Sequence, residues 1–202
     1  MKQTPTLRKV KVEDYKKLAK IHKAAFPGFF LTSLGVGFLN TYYLYSLKTE
    51  GSVACCVVKD NNEILGFAVG CLEAKGFHKK VFLKSPLAFI GSLLRSFFAN
   101  PKIIIRLWRN LEKKASKDDD KKYSELLSIA VSPENKSKGI GKILLAGFED
   151  EIKKLKGKKI ALTTDLSANE SVISFYEKNG YSKHFQFITY PNRLMFKMIK
   201  DL

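Results

Sequence analysis

Hydrophobic residues in the first third of the chain recur at two different spacings, and each spacing predicts a different element. Apolar positions from Tyr15 to Ala25 recur every three or four residues, which predicts a helix that Pro27 and Gly28 end. Two apolar runs flank the turn sequence 60–62, which predicts a hairpin. The predicted elements are a strand over Thr6–Val12, helices over 15–25 and Leu34–Leu47, and hairpin strands over Val53–Lys59 and Ile64–Leu72.

The last third of the chain alternates between strand patterns and helix patterns. Short apolar runs that are followed by longer amphipathic segments are typical of a mixed α/β layer fold. We therefore expect a sheet with helices packed on it. The predicted strands are Leu126–Val131, Lys159–Thr163, Tyr181–Thr189 and Leu194–Ile199, and the predicted helices are Ile140–Leu155 and Asn169–Lys178.

A basic and apolar insert separates these two parts at about residues 76–122. No acidic residue occurs from 74 to 111, whereas Phe, Leu, Ile and Trp accumulate there. Proline is tolerated in a first helical turn, so Pro86–Phe98 and Pro101–Lys114 are predicted helices, and Lys113–Lys122 is a predicted exposed loop. Four roles are open for the insert: a helical pair that covers the core, a lid over a substrate site, a homodimer surface, or an interfacial membrane element.

The composition is that of a folded and strongly basic chain. Its 202 residues include 36 basic and 19 acidic side chains, which give a formal net charge of +17, and 12% of the residues are aromatic. A single domain over residues 1–202 is the first expectation for this length. The positive charge favours phosphates, nucleic acid or an anionic membrane surface as partners. Nucleic acid is the weakest of these, because the basic residues are dispersed without a recognisable reading motif.

The cysteine and histidine residues show no spacing that is typical of a metal site, so no metal is expected. The cysteines fit small core residues in a reducing cytosol: Cys55, Cys56 and Cys71. The histidines are isolated and are expected to be solvated or partly packed: His22, His78 and His184. The first 20 residues contain no apolar run typical of a signal peptide. We therefore expect a cytoplasmic protein, with peripheral membrane contact through the insert as the alternative.

The strongest chemical signal is a glycine loop between a predicted strand and a predicted helix. The strand ends at Ser132-Pro133, and Gly139 and Gly141 stand where the helix begins. Unpaired amides and the positive end of the helix dipole make such a helix start a phosphate site. Nearby lysines strengthen it: Lys136, Lys138 and Lys142. A glycine turn that serves only tight packing is the structural alternative.

A second motif lies downstream of this loop. The segment from Asn169 to Tyr181 has the pattern N-x-x-A-x-x-(F/L)-Y-x-x-x-G-(F/Y), with Val172 in place of alanine. The segment 136–141 has the pattern (Q/R)-x-x-G-x-(G/A), with lysine in the first position. By these two motifs the sequence resembles the GNAT superfamily of acetyl-CoA-dependent N-acetyltransferases. The resemblance covers about Leu126–Phe187 and implies an α/β fold of the α+β type, in which helices flank a central mixed β-sheet.

The resemblance also implies how the chain would contact acetyl-CoA. The backbone of residues 138–142 would bind the pyrophosphate, and the main chain of the preceding strand would hold the pantetheine arm. Asn169 would contact the co-substrate, cap its helix, or do both. The implied contact residues are Ile129, Ala130, Val131, Lys136, Lys138, Gly139, Ile140, Gly141, Lys142 and Asn169.

Two side chains are candidates for proton transfer. Tyr176 matches the family position whose phenol protonates the departing CoA thiolate, and its structural alternative is a tyrosine that packs beside the co-substrate. Glu125 stands where some protein-acetylating members have a catalytic base. Its alternative is a surface glutamate, with ordered water carrying the amine proton.

The main functional hypothesis is acetyl transfer from acetyl-CoA to a primary amine on a small molecule. The run AAFPGFFLTSLGVGFLNTYYLYSL resembles that of GNAT proteins associated with bacterial surface-sugar biosynthesis, which makes an amino sugar the leading acceptor. Acetylation of a protein lysine or N-terminus is the second hypothesis. The third is a non-catalytic, membrane-associated protein that binds acyl-CoA.

Overall fold

One mixed sheet runs through the part of the chain that the computed structural model describes, residues 5–99, 119–167, 169–189 and 193–202. Its strands are β1 Thr6–Lys9, β2 Ser52–Val58, β3 Ile64–Cys71, β4 Ser124–Val131, β5 Lys159–Asp165, β6 Ser182–Thr189 and β7 Arg193–Asp201. The helices are α1 Tyr15–Ala25, α2 Phe30–Ser33, α3 Gly35–Lys48, α4 Phe77–Leu83, α5 Pro86–Ala99, α6 Ile140–Lys154 and α7 Glu170–Lys178. Helices on both sides of a mixed sheet confirm the predicted fold class.

The strand order is β1-β2-β3-β4-β5-β7-β6, and the only parallel neighbours in this order are β4 and β5. These two strands pair over a short distance, from Ser124 opposite Ile160 to Leu126 opposite Leu162. Beyond Leu126 each strand continues without pairing to the other. The gap between β4 and β5 is therefore open at the carboxyl ends of both strands.

A bulge in β4 coincides with the start of this gap. The register between β3 and β4 shifts so that Gly70 lies opposite Leu126 and Val69 lies opposite Ser128. Leu127 is the extra residue, and such a residue increases the local twist of a strand. The bulge therefore turns β4 at the position where its pairing with β5 ends.

The two faces of the sheet carry separate hydrophobic clusters. On one face, α1 and α3 pack on β2–β4 through side chains such as Leu18, Tyr43 and Phe67. On the other face, α6 and α7 pack through side chains such as Leu144 and Tyr176. Because each face is covered by apolar residues, the sheet is a rigid support for the gap at its centre.

Most predicted elements agree with the structure within a few residues, and the differences have local causes. The predicted strand Thr6–Val12 ends at Lys9, because residues 12–14 form a 3₁₀ turn. Asp14 accepts a hydrogen bond from the Lys11 amide at 3.0 Å and pairs with Arg8 at 2.8 Å. These bonds favour the turn over a longer strand.

The insert contributes α4 and α5 to the described structure. Helix α5 confirms the predicted helix Pro86–Phe98, whereas α4 was not predicted. The predicted helix Pro101–Lys114 lies outside the described residues. No described helix is long and apolar enough to cross a membrane.

Candidate active site

The gap between β4 and β5 opens into a cavity of about 580 Å³. Strand β4 lines it with residues such as Glu125 and Ile129, and β5 lines it with Thr163–Asp165. Helix α7 closes one side with Phe175 and Tyr176. The cavity exists because the two parallel strands stop pairing after three residues each.

A second cavity of about 510 Å³ adjoins the first at the glycine loop. The two cavities share Val131, Gly141 and Phe175 as lining residues. The second cavity is lined by basic side chains that include Lys136, Lys142 and Lys178. We use the term channel for these two adjoining cavities, with the outer end at the cationic glycine loop and the inner end between β4 and β5.

The loop backbone is arranged to bind an anion. Ser137 and Gly139 have left-handed φ angles of 63° and 77°, and α6 begins at Ile140 directly after them. Within the described residues, no main-chain carbonyl accepts a hydrogen bond from the amides of 137–141. Free amides at the positive end of a helix dipole are suited to phosphate oxygens.

Gly141 leaves space beside this loop. A Cβ atom built on Gly141 would lie 3.9 Å from Phe175 Cζ, and no other atom outside its own stretch of helix lies within 4 Å. Gly139 also has open space on its side, but its left-handed backbone disfavours any other residue. The packing alternative for the two glycines is therefore not supported, because no protein atom packs tightly against either of them.

The lysines of the loop have different roles. Lys138 donates hydrogen bonds of 3.0 Å to the Glu134 carbonyl and to Asn135 Oδ1, so its ammonium group holds the loop together. Lys136 and Lys142 line the cavity as the sequence suggests. Lys178 was missed, although it lies three residues after Phe175 and therefore on the same face of α7.

The strand β4 has two different faces at the predicted pantetheine site. Ile129 and Val131 are half-buried and line the cavity, whereas Ala130 is buried in the cluster on the opposite face. Beyond Leu126 the main chain of β4 has no partner on β5. This edge is free to receive an extended ligand by main-chain hydrogen bonds.

Tyr176 lies on α7 at the inner end of the channel. Its side chain is buried, and its ring packs against Phe175 and Tyr181 at centroid distances of 5.3 and 5.7 Å. Burial raises the pKa of Tyr176 well above its ordinary value. In the described part of the chain, no hydrogen bond to its hydroxyl is found, and Tyr176 lines the cavity.

Glu125 also lines the cavity, and it is ion-paired. Its Oε1 accepts a hydrogen bond from Nζ of Lys197 on β7, and both side chains are largely buried. Lys197 in turn lies 5.0 Å from the centre of the Tyr123 ring. The alternative of a surface glutamate does not describe this position.

Asn169 connects α7 to the end of β5. Its Nδ2 donates hydrogen bonds to Thr164 Oγ1 at 2.8 Å and to the Asp165 carbonyl at 2.9 Å. It makes no side-chain capping bond to its helix. Asn169 is thus the N-cap residue through its carbonyl, which accepts from the amides of Val172 and Ile173, whereas its side chain does not cap the helix and instead fixes the edge of the cavity.

His22 is a cavity residue that the sequence interpretation missed. Its Nδ1 lies 2.7 Å from the Tyr43 hydroxyl, and within the described structure its buried Nε2 has no hydrogen-bond partner. Burial lowers the pKa of His22 to about 4, so the ring is neutral at pH 7. The sequence does indicate that His22 is buried, because His22 lies four residues after Leu18 and therefore on the apolar face of α1.

An arginine at the cavity mouth was missed as well. Arg193 Nε donates to Asp165 Oδ1 at 3.0 Å, and the guanidinium carbon lies 4.4 Å from the centre of the Phe29 ring. This arrangement joins the segment before α2 to strands β5 and β7. No local sequence pattern predicts the pairing of Arg193 with Asp165, because the two residues are 28 positions apart in the chain.

The three cysteines are core residues and lie outside the cavity. The three cysteines are free and buried, and burial raises the pKa of Cys56 to about 11 and that of Cys55 and Cys71 to about 12. They are core thiols that are protonated at neutral pH. Among the described residues, no group of three His, Cys, Asp or Glu side chains could hold a metal ion.

Comparisons with known proteins agree with this geometry. The model of the acetyltransferase (GNAT) family matches residues 16–181. No curated protein matches the chain. Among solved structures, the ribosomal-protein-S18-alanine N-acetyltransferase from Escherichia coli superposes with a TM-score of 0.61 at 15% identity, over 98% of this chain and 94% of that one.

Two further solved structures have the same fold. The PaiA N-acetyltransferase from Thermoplasma acidophilum, in complex with coenzyme A, superposes with a TM-score of 0.59 at 17% identity, over 98% of this chain and 99% of that one. A spermidine N-acetyltransferase SpeG chimera from Vibrio cholerae and hSSAT gives a TM-score of 0.63 at 14% identity, over 98% and 95% of the two chains. Because these sequence identities are only 14–17%, the three comparisons show a shared fold and nothing about substrates.

Proposed function

The chain belongs to the GNAT acetyltransferase family, and from this premise we propose that it transfers the acetyl group of acetyl-CoA to a primary amine on a small molecule. The observation that carries the proposal is the pair of adjoining cavities, one at the cationic glycine loop and one lined by β4, Tyr176 and Glu125. Each part of acetyl-CoA has a chemically suitable counterpart along this channel.

The outer end of the channel fits the phosphates of CoA. Free amides at 137–141 suit the pyrophosphate, and Lys136, Lys142 and Lys178 supply positive charge around it. The open side of Gly141 leaves room for a phosphate oxygen close to the backbone. The free edge of β4 suits the amide groups of the pantetheine arm, which can pair with it as a strand would.

The inner end of the channel fits the chemistry of acetyl transfer. The amine nitrogen forms a bond to the acetyl carbon as the bond from that carbon to sulfur breaks. Tyr176 supplies the proton that the sulfur gains, since its phenol carries a proton at neutral pH and its side chain lines the cavity. The proton that the amine loses moves toward Glu125, directly or through water. Lys197 keeps that carboxylate oriented toward the cavity floor.

The acceptor enters from the side opposite the glycine loop. There the cavity is lined by aromatic side chains from the α1–α2 region, including Phe26, Phe29 and Phe30, and by His78 of α4. Aromatic walls suit the ring of an amino sugar, and Arg193 at the mouth suits a phosphate of a nucleotide-linked sugar. An amino sugar is therefore the acceptor that we propose to test first.

The test begins with calorimetric titration of the purified chain with acetyl-CoA. We expect saturable binding with one site per chain, and no binding up to about millimolar concentration would contradict the proposal. Labelled acetyl-CoA is then offered with amino sugars, nucleotide-linked amino sugars, polyamines and short peptides. Labelling of peptides but of no small amine would replace the small-molecule proposal by protein acetylation.

A further inference from the structure

Helices α4 and α5 have large apolar side chains that are exposed in the described structure. We use the term outer stripe for Leu83, Leu87, Ile90 and Leu94, whose exposed fractions are 63%, 82%, 52% and 52%. On α5 these positions lie three and four residues apart, so they share one face of the helix. Such a continuous row of large exposed apolar residues differs from scattered surface leucines and points to a binding partner.

The opposite face of α5 already completes the core. Phe89 is buried, and its ring packs against Phe38 and Tyr45 of α3 at 5.8 and 5.7 Å. Leu93 packs against the same cluster. The outer stripe is therefore not needed to attach α5 to the domain, and its apolar character calls for a different explanation.

Cations surround the outer stripe and no carboxylate accompanies them. Lys79, Lys80, Lys84 and Arg95 are exposed, and residues 75–99 contain no Asp or Glu. In the part of the chain that the structure describes, none of these four cations takes part in a salt bridge. The charged residues that α4 and α5 place beside the outer stripe, which we call its rim, are therefore all cationic.

We infer that this surface docks on an anionic lipid bilayer, with α5 lying in the plane of the membrane. Apolar side chains would enter the boundary between head groups and acyl chains, and the flexible lysines and arginine would reach the lipid phosphates. Helix α5 has 14 residues and is therefore about 21 Å long, which suits a helix that lies on a bilayer and does not span it.

Charge distinguishes a bilayer from a second copy of the chain. A symmetric dimer through the outer stripe would bring two purely cationic rims together, and α4 and α5 offer no carboxylate to neutralise them. An anionic membrane neutralises the rim and attracts the whole molecule, whose net charge is +17. The bilayer is therefore the occupant that satisfies both features of the surface.

Sedimentation of the full-length chain with lipid vesicles tests the inference. Vesicles of phosphatidylcholine alone are compared with vesicles that also contain phosphatidylserine. The first variant, Leu87→Ser/Ile90→Ser/Leu94→Ser, removes the outer stripe, and its matched control is Val36→Ser/Leu155→Ser/Ile188→Ser at other exposed apolar sites. The second variant, Lys80→Glu/Lys84→Glu, has Lys153→Glu/Lys158→Glu as a control with the same net charge.

We expect binding to anionic vesicles only. The stripe variant should bind at least about tenfold more weakly, and the Lys80→Glu/Lys84→Glu variant roughly 25-fold more weakly, while both controls bind nearly as the wild type does. Absence of vesicle binding by the wild type, or equal losses in the controls, would overturn the inference.

Sedimentation velocity and thermal unfolding of the same variants identify other occupants. If the stripe substitutions convert a dimer into a monomer, the surface is a dimer interface. If they lower the unfolding temperature as a core substitution would, the surface is covered by the chain itself. Either outcome overturns membrane docking. Unchanged oligomeric state and stability support it.

Discussion

At the scale of single residues, the inner end of the channel combines polar groups that differ in whether they have a partner. Glu125 is tied to Lys197 and Asp165 to Arg193, so these carboxylates are neutralised within the protein. Tyr176 and His22 are different, because within the described residues no hydrogen bond is found to the Tyr176 hydroxyl or to the buried Nε2 of His22, and both residues line the cavity. Buried polar atoms of this kind cost free energy unless a ligand satisfies them.

Tyr176→Phe tests the proposed proton donor. The substitution keeps the ring and its packing but removes the hydroxyl, so turnover should fall by roughly 10² to 10⁴-fold, with little change in acetyl-CoA affinity. Rates are measured with a verified acceptor, under conditions in which chemistry limits turnover. Tyr181→Phe is the matched control, because Tyr181 is a buried tyrosine next to Tyr176 that does not line the cavity. Full activity of Tyr176→Phe would assign Tyr176 to packing.

His22 should make the protein sensitive to acid. Its pKa falls from about 6.5 in the unfolded chain to about 4 in the fold, so between these pH values the unfolded chain binds the extra proton. Stability should therefore be complete above pH 6.5 and should fall as the pH drops toward 4, by on the order of 3 kcal/mol. Urea unfolding at a series of pH values measures this change.

The variant His22→Gln isolates the contribution of this one side chain. It cannot titrate, so its free energy of unfolding should vary less with pH than that of the wild type over the same interval. His184→Gln removes an exposed imidazole on β6 and should leave the wild-type curve unchanged. A His22→Gln curve that is parallel to the wild-type curve would rule out this assignment.

At the scale of elements, the site depends on how one strand leaves its neighbour and how one helix begins. The bulge at Leu127 ends the pairing of β4 with β5, and the left-handed residues Ser137 and Gly139 start α6 with free amides. Both features lie on the same strand–loop–helix unit. The proposed site therefore depends on the shape of this unit. The buried side chains of α6 hold the unit on the sheet when no ligand is bound.

Gly141→Leu tests the glycine loop without straining it. Gly141 has a helical backbone and open space on its side, so a leucine is compatible with the fold but occupies the proposed phosphate position. We expect acetyl-CoA binding to disappear in calorimetry up to about millimolar concentration, with an unfolding temperature near that of the wild type. Gly37→Leu, at an open helical glycine of α3, is the matched control and should bind normally. Tight binding by Gly141→Leu would argue against the pyrophosphate position.

At the scale of the whole molecule, the sheet consists of two parts that meet at the short pairing of β4 with β5. The part β1–β4 carries the glycine loop, and the part β5–β7 carries the residues around Asn169 and Tyr176. A ligand in the channel would contact both parts at once. Its binding free energy therefore adds to the free energy that holds the two parts together.

Acetyl-CoA should consequently raise the unfolding temperature. At a concentration about 100 times the dissociation constant, a ligand that binds only the folded state stabilises it by about 2.7 kcal/mol, which corresponds to roughly 5–11 °C for a chain of this size. The shift should shrink as salt increases, because the ligand is anionic and the protein carries a charge of +17. Differential scanning fluorimetry measures it, and a shift of equal size in Gly141→Leu would contradict the proposed position.

Local patterns in the sequence determined much of this protein. The helical spacing of α1, the hairpin of β2 and β3, and the strand–loop–helix unit at Gly139 all depend on residues that are close along the chain. Their conformations follow from sterics, periodicity and glycine geometry over a few residues. The two motifs that imply acetyl-CoA belong to this local kind of information.

The tertiary structure alone decided which side chains meet inside the channel. Glu125 pairs with Lys197 across 72 residues, and His22 contacts Tyr43 across 21 residues and three elements of the fold. The unpaired stretch of β4, the ion pair of Asp165 and the exposure of the outer stripe likewise depend on strand register and helix packing. These features depend on contacts between distant segments, because burial and charge pairing are set only when the whole sheet has assembled.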